Sequence, residues 1–93
     1  MVEIGRLFWK RAYTSDSFLV GEVQSAELDS NTWQITNFYV GLTDEATMAL
    51  GFKRPFLGRV TICLPVSAIE SFKETAVLKL TKAELSQLKE CKM

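Results

Sequence analysis

The loop 51–59 holds the most chemically versatile side chains of this sequence, because it interleaves two aromatic rings with three cations. Rings that stack on bases beside cations that contact phosphates are typical of nucleic-acid binding. The same rings could anchor a protein partner inside a charged rim, or they could plug one end of the fold. Three cations are few and the chain as a whole is not basic. We therefore predict a protein-binding surface formed by Phe52, Lys53, Arg54 and Phe56.

Side chains for catalysis are scarce in this chain. It contains no histidine, which excludes Ser-His-Asp and Cys-His catalysis and histidine metal sites. Glu22, beside Gly21 in an apolar run, is the one candidate for a half-buried reactive acid, and no partner acid or base is evident for it. The five glycines are isolated and form no phosphate-binding loop. We predict that the protein is not an enzyme and uses no metal and no cofactor.

The two cysteines are Cys63 and Cys91. They form no C-x-x-C pair, and no further cysteine or histidine could complete a zinc site with them. The apolar run around Cys63 predicts a buried thiol, and the charged neighbours of Cys91 predict an exposed, reduced one. A disulfide between them is the alternative. Reduced cysteines, the lack of a signal-peptide pattern and the lack of a long apolar run predict a cytoplasmic protein without direct membrane insertion.

Length and composition predict one globular domain. The chain has 93 residues, of which 47% are hydrophobic and 24% charged, with a formal net charge of zero. The charges are segregated along the sequence, because residues 12–52 contain six carboxylates and no lysine or arginine, whereas residues 53–93 carry an excess of four cations. Folding could mix these charges on the surface. Alternatively, it could leave a bipolar surface that favours head-to-tail or hetero-association.

The hydrophobic pattern predicts a mainly β fold with two helices. Strands are predicted at 11–14, 18–28, 33–42, 60–66 and 76–80, with a turn or single helical turn at 67–72. Thr43 should begin a short helix that Gly51 ends, and the capping box from Thr81 to Glu84 should begin a second helix that reaches about residue 91. The apolar phase of 33–42 switches, which indicates either a bulge near Asn37 or a strand that leaves one layer and joins another.

Side chains with strand periodicity define the expected core. The core prediction comprises Val20, Phe38, Val40, Val60, Ile62 and Leu64. For Trp9 and Trp33, core packing is the default prediction and an exposed interface is the alternative.

The order of these motifs resembles the PRC-barrel family. Residues 13–23 resemble its opening strand and turn, which lead to a hydrophobic-Gly-Glu-Val strand. Residues 29–40 resemble its second hairpin, and residues 60–69 resemble its hydrophobic-Pro-x-x-x-Ile segment, with the last strand following at 76–80. The resemblance extends over roughly residues 10–80.

This resemblance implies a small closed β-barrel at 1–80 with one short inserted helix near 43–51, followed by a C-terminal helical tail at 81–93. The inserted helix and the loop after it are most similar to the small stand-alone archaeal members. Some of those are cell-division proteins that connect to the membrane-anchor protein SepF and hence to the FtsZ ring.

The function implied is that of a non-enzymatic adaptor that binds SepF or another PRC-barrel protein. Such an adaptor would form a homodimer or higher oligomer and would be recruited to the division site through a membrane-anchored partner. A ribosome-maturation factor belongs to the same family. An RNA- or ribosome-associated maturation factor is therefore the alternative function, although nucleic acid is not the favoured partner.

Overall fold

Six strands and two short helices make up the fold. The structure is a computed structural model that describes residues 9–53 and 59–88. The strands are β1 (Arg11–Tyr13), β2 (Leu19–Leu28), β3 (Ile35–Leu42), β4 (Thr61–Pro65), β5 (Ile69–Phe72) and β6 (Ala76–Leu78); the helices are α1 (Asp44–Ala49) and α2 (Lys82–Leu85), and a single 3-10 turn spans Val66–Ala68.

The strands form one sheet with the order β4-β3-β2-β1-β6-β5. Neighbours are antiparallel except for β1 and β6, which pair in parallel with Ala12 opposite Ala76. The sheet curves into a half-barrel, and β4 and β5 are its two end strands. The prediction of a mainly β fold with one inserted helix and one C-terminal helix is confirmed at this level.

The long hairpin of β2 and β3 bends because its pairing is irregular. Its register shifts once between Val23 and Ser25 and again between Glu27 and Leu28, where Thr36 is the extra residue of β3. The predicted bulge near Asn37 is therefore confirmed, and it explains why the apolar phase of β3 switches, since one inserted residue exchanges the two faces of a strand.

The core lies on the concave side of the sheet, and all six predicted core residues are buried in it. Leu42, Leu50 and Leu78 are buried with them. Helix α1 begins as predicted, because the hydroxyl of Thr43 accepts a hydrogen bond from the N–H of Ala46 at 3.0 Å. The helix ends before Gly51, whose φ of +81° is one that glycine adopts without steric cost.

Helix α2 packs on the sheet. Leu85 is fully buried and Leu88 packs against the core. The capping box is present: the Thr81 hydroxyl accepts from the Glu84 N–H at 3.2 Å, and the Glu84 carboxylate accepts from the Thr81 N–H at 3.0 Å. The predicted continuation of this helix to about residue 91 was wrong over the described residues, because α2 ends at Leu85 with Ser86 as its C-cap, and residues 86–88 form a turn. The last part of that prediction lies outside the described residues.

Two local predictions were wrong. Val66 was expected in the apolar stripe of β4, but it begins the 3-10 turn and is largely exposed. Pro65 predicts that a strand ends there or runs along an edge, because it has no N–H to donate to the ladder, and this is confirmed: Pro65 is the last residue of β4, an end strand of the sheet. Residues 67–72 were expected as a turn or single helical turn, which the 3-10 turn Val66–Ala68 matches only at its beginning, because Ile69–Phe72 is a strand paired with β6. The strand has only four residues and pairs with β6 across a separate turn. The hydrophobic periodicity of residues 69–72 alone could therefore not identify it as a strand.

Candidate functional site

The structure describes only part of the predicted binding loop, because residues 54–58 lie outside the described residues. Phe52 is half-buried and packs against the core, and its N–H donates to the carbonyl of Thr47 at 3.0 Å. Lys53 beside it is exposed. Arg54 and Phe56 lie outside the described residues. The structure therefore places Phe52 at the edge of the core and Lys53 in solvent, and a protein-binding role for the four residues stays a prediction.

Glu22, the candidate reactive acid, is paired with a cation. Its carboxylate lies 3.2 Å from a guanidinium nitrogen of Arg59, and both side chains are partly exposed. The partner that the sequence did not reveal is 37 residues away along the chain. The pair joins the middle of β2 to the segment that leads into β4.

Both tryptophans are exposed, which makes the default prediction of core packing wrong. Trp9 is 66% and Trp33 is 75% exposed. Both also adopt left-handed backbone, with φ of +67° and +59°. A bulky residue in that region is an outlier and costs about 1–3 kcal/mol. The backbone therefore holds both indoles in solvent at a conformational cost, which is a pattern found at functional sites.

The turn that presents Trp33 is closed by several hydrogen bonds. The N–H of Asp29 donates to the carbonyl of Gln34 at 2.9 Å, and the N–H of Trp33 donates to the carbonyl of Asp29 at 2.6 Å. The Asp29 carboxylate accepts from the N–H groups of Asn31 at 2.8 Å and Thr32 at 3.4 Å. The sequence Asp-Ser-Asn-Thr at 29–32 predicts a turn, and these bonds confirm it, since aspartate side chains bond nearby backbone in this way.

Three exposed apolar residues belong to the end of the sheet that contains this turn. Leu28, 40% exposed, pairs with Ile35, two residues after Trp33. Pro65 pairs with Asn37, so Val66, 48% exposed, follows at the same end. We call this region the hairpin tip and define it as Leu28, Trp33 and Val66 with the turn residue Asp29; Glu27, next to Leu28 in β2, faces the opposite side of the sheet.

Glu27 is held by polar side chains of the adjacent strand. Its carboxylate accepts from the hydroxyl of Tyr39 at 2.8 Å and from the amide of Asn37 at 3.5 Å. The hydrogen bond to Glu27, together with some burial and the nearby negative charge, raises the pKa of Tyr39. The hydroxyl of Tyr39 therefore stays protonated, and Glu27 keeps a fixed position beside the hairpin tip.

Cys63 differs from its prediction in two ways. It is half-buried rather than buried, and it is disulfide-bonded rather than reduced. Its register partner on β3 is Tyr39, so it lies on the convex side of the sheet. Cys91, the chain's other cysteine, lies outside the described residues.

Sequence reasoning missed the hairpin tip because its signals were individually ambiguous. A tryptophan between two strands is as compatible with a core as with a surface. One signal was present: Trp33 follows a strong turn sequence, a position where left-handed backbone often occurs and where a side chain projects away from both strands.

No protein-family model matches the chain, and no curated protein matches it. The resemblance to PRC-barrel proteins is thus a prediction from the motif order alone. Within residues 9–53 and 59–88, neither helix has the length or the apolar character required to cross a bilayer.

Proposed function

We propose that this protein is a non-enzymatic protein-interaction adaptor. The observation that carries the proposal is the exposure of both tryptophans on left-handed backbone. Indoles are among the side chains that contribute most to protein interfaces.

The particular adaptor that we propose is an archaeal cell-division protein of the PRC-barrel type. It binds SepF, or pairs with another PRC-barrel protein, and it self-associates as a homodimer or higher oligomer. The motif order supports this assignment, and the curved six-stranded sheet with its inserted helix is compatible with a barrel that closes around the same core.

Cytoplasmic localisation, with recruitment to the division site through a membrane-anchored partner, belongs to the same proposal. The disulfide at Cys63 is unusual for most cytoplasmic proteins. It is compatible with an archaeal cytoplasm, because intracellular proteins of hyperthermophilic archaea are often rich in disulfides.

Isothermal titration of the purified chain with purified archaeal SepF tests this function, and analytical ultracentrifugation tests self-association. We expect saturable binding to SepF or a concentration-dependent dimer. Lys53→Ala should weaken the association if the predicted loop contributes, whereas Lys73→Ala, an exposed lysine in the β5–β6 turn, serves as the matched control.

The absence of both SepF binding and self-association would contradict the adaptor. Binding to ribosomal RNA that falls steeply between 50 and 200 mM salt, on the order of tenfold or more, would support the alternative maturation factor.

A further inference from the structure

We propose that the outer edge of β2, beyond the end of β1, binds an extended segment of a partner protein as an additional strand of the sheet. The segment would alternate apolar with polar side chains. The inference rests on the proposed function, because it names the surface through which the adaptor would act and the conformation of the partner segment that it binds.

Strand β3 shares its backbone hydrogen bonds between its two neighbours. The N–H of Leu42 donates to the carbonyl of Val60 at 2.8 Å, which directs the backbone of Leu42 toward β4. Successive residues of a strand direct their backbone groups to opposite edges, and the pairing of β3 with β4 is regular. Tyr39 and Asn37 stand an odd number of residues before Leu42, so their backbone groups face β2.

Ala26 and Leu28 form the outer edge of β2. Ser25 and Glu27 lie opposite the two β3 residues that face β2, so their own N–H and C=O groups face β3. Ala26 and Leu28 alternate with them and therefore face the other edge. Among the residues that the structure describes, no backbone group bonds to Ala26 or Leu28 on that edge. Two donors and two acceptors are thus aligned for an added strand.

The two exposed tryptophans stand at the two ends of this open edge. β1 pairs with β2 as far as Val23, whose N–H donates to the carbonyl of Lys10 at 2.9 Å and whose carbonyl accepts from the N–H of Trp9 at 2.6 Å. Trp33 lies in the turn that follows β2. A strand added to the edge would therefore run between the two ends that carry the indoles.

The pattern of the partner segment follows from the faces of β2. Ala26 lies opposite Phe38 of the core, and Leu28 lies opposite Ile35, which packs against the core. Leu28 is nevertheless 40% exposed. Apolar residues of an added strand would extend the core over Leu28, and its polar residues would lie on the face of Glu27 in solvent. Strand addition of this kind takes affinity from main-chain hydrogen bonds and specificity from alternate side chains.

The two end strands of the sheet are less suited to strand addition. β4 ends at Pro65, and β5 has only four residues. Prolines and short edge strands are devices by which proteins protect sheet edges. Residues 24–28 contain no proline and no lysine, and they belong to the longest described strand. The outer edge of β2 therefore lacks that protection.

Amide hydrogen exchange in the full chain tests this edge directly. The probe is a short synthetic peptide that alternates valine with threonine. Its twin is N-methylated at every residue and so has no N–H to donate. We expect the first peptide to slow exchange at Ala26 and Leu28 by about tenfold or more, and the twin to have no effect. The amide of Glu74, an exposed residue of the β5–β6 turn, is the control and should be unchanged.

Ala26→Pro removes one outward donor and leaves the bonds to β3 intact. Proline is tolerated on an edge where the N–H side faces solvent. We expect the variant to bind both the peptide and purified SepF about tenfold or more weakly. Ala26→Ser keeps the N–H and should change both affinities by less than about twofold. The exchange measurement on the unmodified chain does not depend on the folding of either variant.

Unchanged exchange at Ala26 and Leu28 with the peptide, or equal effects of the peptide and its N-methylated twin, would overturn the proposal. Slow exchange of both amides in the free chain at low concentration would overturn it in favour of a segment of the same chain. Protection that rises with chain concentration without peptide would overturn it in favour of a second copy. If the chain binds SepF equally well with Ala26→Pro, this inference fails while the adaptor function stands.

Discussion

The carboxylate of Asp16 accepts a hydrogen bond at 3.2 Å from the backbone N–H of Lys82, 66 residues further along the chain. Asp16 also accepts from the hydroxyl of Thr14, and the ammonium of Lys82 lies 4.7 Å from the centroid of the Phe18 ring. The β1–β2 turn thereby fixes the beginning of α2, so that Leu85 is directed into the core.

Asp16→Asn should lower the melting temperature in a pH-dependent way. The hydrogen bond from Thr14 is the largest cause that lowers the pKa of Asp16, followed by backbone hydrogen bonds and the charge of Lys82. A carboxyl pKa lowered by folding stabilises the protein above the unfolded pKa, and this stabilisation is lost as pH falls through the folded pKa. The difference in melting temperature between wild type and variant should therefore be largest above about pH 5 and shrink below it.

Melting curves at a series of pH values, followed by circular dichroism, measure that difference. Glu74→Gln, which changes an exposed carboxylate in the β5–β6 turn, is the control and should change the free energy of unfolding by less than about 0.5 kcal/mol. A constant difference across the acid range would show that the Asp16 charge is not responsible.

Gly21→Ala should strongly destabilise the β2–β3 hairpin. A Cβ on Gly21 would lie 1.9 Å from the carbonyl oxygen of Gly41 and 3.0 Å from the Cα of Leu42, both backbone atoms of β3. Since backbone cannot move aside as a side chain can, we expect a loss of about 3 kcal/mol or more in urea denaturation. In Gly41→Ala the three atoms nearest to the new Cβ all belong to the flexible end of Gln24, so a loss below about 1 kcal/mol is expected. Equal losses would contradict the close backbone approach at Gly21.

Phe52→Ala should lower stability, whereas Lys53→Ala should not. Phe52 packs against the core while half-buried, so we expect about half of the 3–5 kcal/mol that a fully buried phenylalanine loses on truncation. That loss corresponds to a melting temperature lower by about 5–15 °C. Lys53 is exposed, and its removal should cost less than about 0.5 kcal/mol. Thermal denaturation of both variants tests this, and an unchanged melting temperature for Phe52→Ala would indicate that the ring has no structural role.

Reduction of the disulfide at Cys63 should destabilise the fold. Breaking a native disulfide in a small domain costs about 2–4 kcal/mol, so dithiothreitol and Cys63→Ser should each lower the denaturant midpoint. Because both remove the same bond, reduction should have no further effect on the variant. An additional loss on reduction of Cys63→Ser would mean that a different bond is being broken.

Features that depend on neighbouring residues could be predicted from the sequence alone. The start of α1 at Thr43, the capping box of α2, the turn after Asp29 and the alternating burial of Ile62 and Leu64 all follow from backbone hydrogen bonding and side-chain periodicity within a few residues. The composition also determined that histidine chemistry is excluded, since no tertiary arrangement can supply a missing side chain.

Features that depend on distant residues were decided only by the tertiary structure. The parallel pairing of β1 with β6, the strand Ile69–Phe72 and the ion pair of Glu22 with Arg59 each join segments separated by turns or helices. The exposure of Trp33 belongs to the same class. An indole is amphipathic enough for either environment, and its environment follows from the bulge and turn that direct it away from the sheet, not from its own chemistry.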